Sequence, residues 1–102
     1  MAIQNTALAT TAGNIYVSNN NSVITTIHLC NYTGTPVQAS VYAVPAGQTA
    51  GTNNVIYGNV SISAYNTLII YQEKFVLGAG DAIAASASAS NSVTATVSSI
   101  RI

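Results

Sequence analysis

The stretch VITTIHLC, residues 23–30, decides how this chain folds. At a period of two it places Val23, Thr25, Ile27 and Leu29 on one side and Ile24, Thr26, His28 and Cys30 on the other. The same alternation puts Val37, Ala39, Val41 and Ala43 on one face, and Ile83, Ala85, Ala87 and Ala89 on another. No window of a dozen residues carries the 3.6-residue apolar stripe of a helix. The pattern is therefore all-β. Val/Ile/Thr/Tyr runs recur at intervals of roughly ten residues between Gly, Asn and Pro clusters, the spacing of a sandwich or barrel. About eight antiparallel strands are expected, at residues 6–10, 14–18, 23–30, 37–44, 55–62, 67–73, 82–90 and 93–102. They belong to one domain over residues 1–102, with residues 1–12 an arm or the first strand.

The breakers between these runs predict the connections. Asn19-Asn20-Asn21 and Tyr32-Thr33-Gly34-Thr35-Pro36 have the chemistry of hairpin turns, and Asn91-Ser92 should close a C-terminal hairpin. The longer segment 45–54 either carries the chain across the sandwich or forms an exposed loop. Much of the inward face is alanine. Sheets packed about 10 Å apart need large residues such as Leu68, Ile70 or a Tyr ring opposite an alanine layer, so the core is expected to be thin.

Composition narrows function further. Of 102 residues 49% are hydrophobic and only 4% charged, with a formal net charge of zero. Two cations cannot neutralise a row of phosphates or hold an anionic membrane surface, so neither nucleic acid nor membrane is an expected partner. The opening residues lack a secretory leader pattern, and the single Cys30 has no partner for an internal disulfide, which fits synthesis in a reducing cytoplasm.

Little material remains for chemistry. His28, Asp81 and a serine make a triad on paper, but no Gly-x-Ser-x-Gly elbow exposes a nucleophile. His28 and Cys30 are two ligands without further partners, and read as a hydrogen-bonded structural histidine and a small buried thiol. Gly78-Ala79-Gly80 is a turn without the helix a phosphate site needs. The six tyrosines read as scattered surface residues before they read as a sugar-stacking platform. No catalytic, cofactor-binding or metal-binding residue is assigned, and the chain is not expected to be an enzyme.

What such a sheet needs is cover for its edges. Soluble sheets protect them with Lys, inward charge, Pro or bulges, and this chain has one Lys and two Pro. A homo-oligomer, most simply a trimer, is expected, held by apolar burial and backbone pairing and nearly indifferent to salt. In residues 67–73, Leu68 and Ile70 should face the core, leaving Ile69 and Tyr71 outward as candidate interface residues. In the last strand Val93, Ala95 and Val97 share one parity and Ile100 and Ile102 the other, which predicts a β-bulge at Ser98-Ser99. The alternative is that both isoleucines meet a neighbouring subunit.

The segments Ile27-His-Leu-Cys-Asn31, Val41-Tyr-Ala-Val-Pro-Ala-Gly47 and the Ala/Gly-rich run at residues 76–87 also form an ordered series over about residues 15–102. With the Ser-Ile-x-Ala element at residues 61–64, this series resembles small all-β tailed-bacteriophage virion proteins of the capsid decoration or cement kind. The chain departs from that pattern at Asn19-Asn20-Asn21-Ser22, where such proteins often repeat a Pro-Ala-Gly turn. The resemblance implies a jelly-roll-like β-sandwich, frequently trimeric, that decorates or cements a capsid or belongs to a tail or fibre. It implies partnership with a major capsid protein or another virion protein, and no enzymatic residues.

Overall fold

Strands form where alternation and β-branched residues coincide, and the computed structural model describes residues 2–70 and 75–101 of the chain. The strands are β1 (Ala2–Ala7), β2 (Gly13–Val17), β3 (Ser22–Asn31), β4 (Val37–Val44), β5 (Val55–Ile62), β6 (Thr67–Ile70), β7 (Phe75–Leu77), β8 (Ala82–Ala87) and β9 (Val93–Arg101). They make two antiparallel sheets packed as a β-sandwich. Sheet A runs β1-β9-β3-β6, with β7 also on β3, and sheet B runs β2-β8-β4-β5. The first strand lies nearer the start of the chain than its expected residues 6–10, because Leu8 turns into the core and residues 8–12 carry the chain to the other sheet.

The pairings are nested: β1 with β9, β2 with β8, β3 with β6 and β7, and β4 with β5. The chain is one long hairpin whose tip is the segment 45–54, rolled so that β9 also meets β3 and β8 also meets β4. This corrects the expected connections. The turns at residues 19–21, 32–36 and 88–92 cross between sheets, so β8 and β9 form no hairpin, whereas of the two readings of the 45–54 segment the exposed loop holds, joining two neighbours in one sheet. The physical reason is reach: an extended residue advances about 3.3 Å and sheets lie about 10 Å apart, so a short turn crosses the sandwich as readily as it reverses a strand.

Strand β3 contains the main irregularity of sheet A. Ile24 faces Ser99 and Thr26 faces Ser98, so β3 inserts Thr25 as an extra residue while β9 advances by one. The Thr25 hydroxyl donates to the Ser98 carbonyl at 3.0 Å. Ile24, Ile27, Leu29 and Asn31 consequently all point inward, and Val23 and Thr25 do not share the core face expected of them. The bulge expected in the last strand at Ser98-Ser99 thus lies across the ladder, in β3. Strand β9 keeps its alternation, with Val97 and Ser99 buried and Ile100 42% exposed on the opposite face.

The core follows from these phases. Ile24, Ile27 and Leu29 of β3, with Ile70 and Leu77, lie in one cluster with Ala39, Val41, Ile83, Ala85 and Ala87 of sheet B. The large residues opposite the alanine layer come chiefly from β3, and Leu68 is partly buried against the same cluster. Beyond sheet B, Val44, Ala82 and Ala84 form a second cluster under Tyr42 and Ala50, so the tip of the hairpin covers part of that sheet's outer face. The Asp81 carboxylate fixes the base of this loop, accepting from the Ala46 and Gly78 amides at 2.9 Å each.

Candidate functional site

Sheet A leaves its outer face open, and the phase set by Thr25 decides what appears there. Ile100 of β9 and Val76 of β7 both lie opposite Val23 of β3. They form a cross-strand row in which Val76 is 69% and Ile100 42% exposed. Ile3 of β1 pairs with Ser98, diagonal to Ile100, and is itself 68% exposed. Four aliphatic side chains therefore make one contiguous outward patch. Burying such a patch gains about 25 cal/mol for each Å² of apolar surface removed from water.

Ile69 points outward as expected and is 48% exposed, in register with His28. Tyr71, its expected companion, lies outside the described residues, as does Ile102. His28 stands on this outer face between Thr96 and Ile69, and Cys30 between Thr94 and Thr67. The face expected to join His28 and Cys30 to Ile24 is divided by the bulge, and Cys30 is half-buried at the surface instead of in the core.

At one pole of the sandwich the fully buried Asn31 organises two turns. Its amide nitrogen donates to the carbonyls of Thr35 (2.9 Å), Ile62 (3.1 Å) and Ser63 (3.2 Å). Its carbonyl accepts from the Thr33 amide (3.0 Å) and hydroxyl (2.7 Å). Tyr65, in the left-handed region at φ 58°, lays its ring against Gly34 and remains 76% exposed. Tyr32 donates its hydroxyl to the Asn91 carbonyl. Near them runs a shallow groove lined by Ser61, Ile62, Ser63, Asn66, Thr67 and Leu68.

The hydroxyls nearest to a reactive cluster are Tyr16, Ser18 and Ser22. Tyr16 donates to Ser22 at 3.0 Å, Ser22 and Ser18 are 2.8 Å apart, and Ser18 donates to the Asn20 carbonyl. Hydrogen bonds with Ser22, then Ser99 and Ser18, hold the Tyr16 phenol below its ordinary value against the opposing effect of burial. Among the described residues no base hydrogen-bonds to this chain of hydroxyls. His28 lies mid-strand in sheet A, whereas the Asp81 carboxylate is taken by the amides of two loops. The residues of the paper triad are not brought together, and among the described residues no three of His, Cys, Asp and Glu converge.

Asn31 is the organising residue that sequence reasoning passed over. Its signal was present: it continues the parity of Ile27 and Leu29, where an amide at a core position must find partners. Comparison with protein-family models, curated proteins and solved structures finds no match for the chain.

Proposed function

We propose that this chain is a non-enzymatic structural protein of a bacteriophage virion, made in the host cytoplasm and attached as a homo-oligomer to the major capsid protein or another virion protein. The observation that carries this reading is the outward aliphatic patch of Ile3, Ile100, Val23 and Val76 on a sheet of a chain with only four charged residues. Such a surface gains by being covered, and it offers no long-range field to steer a charged ligand. The nested strand order supports the jelly-roll form of the sandwich, an architecture used by viral capsid and lectin domains. No cofactor is part of the proposal.

Electron microscopy of the source particles with this protein labelled tests the location. Label at regular positions on the capsid supports the reading, and label absent from purified particles overturns it. Assembly has its own expected result: light scattering at micromolar concentration gives a mass above that of one chain, and that mass is unchanged between low and high salt. Dissociation at a few hundred millimolar NaCl would show that charge, not apolar burial, holds the assembly.

A second reading, a tail or fibre module that binds carbohydrate, is favoured by one specific feature: exposed Tyr65, next in the chain to Asn66 of the groove that Ser61, Ser63 and Thr67 also line. Aromatic rings pack on sugar faces while amides and hydroxyls bond the ring hydroxyls. Under this reading a glycan array shows binding that Tyr65→Ala removes at least tenfold, with the fold unchanged. An array without signal retires it.

A further inference from the structure

Hydrogen bonding at the end of β1 fixes which of its backbone groups are free. Leu8, one residue past the strand, donates its amide to the Val93 carbonyl at 2.9 Å, and the register continues unshifted from Ala7 opposite Thr94 to Ala2 opposite Ser99. In an antiparallel ladder bonded residues alternate. Ala2, Gln4 and Thr6 therefore direct their backbone groups at β9, and Ile3, Asn5 and Ala7 direct theirs away from the sheet. The far side of β9 agrees, because there Tyr32 donates to the Ser92 carbonyl, so the alternate residues of β9 serve β3.

The other edges are broken. Strand β2 shifts register between Asn14 and Tyr16, and β5 shifts twice against β4, with Asn59 in the left-handed region. The far edge of sheet A is described as two short strands, β6 of four residues and β7 of three. Bulges and very short edge strands of this kind hinder strand addition. Among the described edges β1 alone runs six residues without a shift, and no side chain in it is charged.

We propose that β1 is a self-pairing edge: two copies join β1 to β1, antiparallel, about a twofold axis at Asn5, fusing their A sheets into one. The occupant is a second copy because the free groups are symmetric about that residue. Ile3 meets the partner's Ala7, Asn5 meets the partner's Asn5, and every outward N–H and C=O of residues 3, 5 and 7 finds one partner. Thr96 already donates to the Asn5 side-chain oxygen at 2.9 Å, which leaves the amide nitrogen to donate across the axis. A twofold normal to the sheet keeps opposed side chains on one side, so both aliphatic patches face the same way. The pair becomes a bivalent surface for the flat partner in the proposed function, and the inference rests on that assembly reading.

Light scattering on the full chain decides it, using Asn5→Pro and Asn5→Lys. Proline removes an amide that β9 does not use, and lysine sets two ammonium groups against each other on the axis. The wild type is expected at twice the chain mass. Both variants are expected at the chain mass, with unchanged circular dichroism. A wild-type oligomer whose mass survives both substitutions, or one of three chains as the family resemblance implies, overturns the β1 seam and leaves the assembly reading standing. A wild type at the mass of one chain overturns both.

Discussion

Replacing Asn31 by leucine is expected to lower the unfolding free energy by about 3–5 kcal/mol, read as a fall in the urea midpoint at unchanged slope. Leucine keeps the branching and heavy-atom count of asparagine but is larger, so no hole is left and the loss combines missing hydrogen bonds with overpacking of a closed site. The Ile62 carbonyl and the Thr33 amide lose the Asn31 side chain, and the carbonyls of Thr35 and Ser63 lose one of two donors, keeping the Thr33 hydroxyl and the Asn66 amide. A buried polar group left without a partner costs about 1–3 kcal/mol, and those nearer the surface recover water, which keeps the total below the simple sum. Asn31→Asp provides the control. A carboxylate set against three carbonyls is repelled, so its pKa rises; this variant has its full stability only below the ordinary carboxyl value of the unfolded chain and loses it as pH climbs from there through the raised value. A leucine variant within about 1 kcal/mol of wild type would remove Asn31 from its place as organiser of the two turns.

Leu29→Ala should cost about 4 kcal/mol by the same measurement, toward the upper end for such truncations. Leu29 is fully buried in β3, flanked by Ala95 of β9 and Leu68 of β6. Its cluster includes Ala39, Ala85, Ala87 and Ala95, side chains without a rotamer to swing into the vacated space. The cavity therefore stays open, and the cost of a cavity grows with the volume that fails to collapse. Against a total of about 5–15 kcal/mol for a domain, one truncation removes a large share. A loss under about 2 kcal/mol would show that sheet B settles onto sheet A after all.

These two residues also show how far the sequence could be read. Leu29 was legible, because it sits in an unbroken stretch of the alternation in which Ile27 and Leu29 share a face. Strands β4 and β5 were legible to the residue, bounded as they are by Pro36 and by the 45–54 segment. What failed was every inference that crossed an irregularity. The extra residue in β3 was placed in β9, because a phase change in one strand looks the same whether the bulge is its own or a neighbour's. The apolar row of Val23, Ile100 and Val76 was hidden for the same reason: it exists only when three separate strands are aligned by a register that no one of them encodes. The outward position of Ile69 needed local alternation alone, and it holds. The turns misled because Asn, Gly and Pro report that the backbone bends, not whether it lands in the same sheet or the opposite one.

The nested hairpin has a consequence for the order of events in folding. Its tip, β4 with β5, joins residues close in sequence, whereas β1 with β9 joins Ala2 to Ser99 across nearly the whole chain. Loop closure grows costlier with separation, so the tip can close early and the β1 ladder closes last, in a topology that belongs among slow folders. The strand proposed to recruit a second copy is therefore positioned only after the rest of the sandwich exists. A chain still being synthesised lacks β9 and has nothing to hold β1 in place. With the proposed seam in place, assembly would be gated by completion: partly made or truncated chains would be refused entry, and the edge that could seed disordered aggregation would become available when its correct partner can use it.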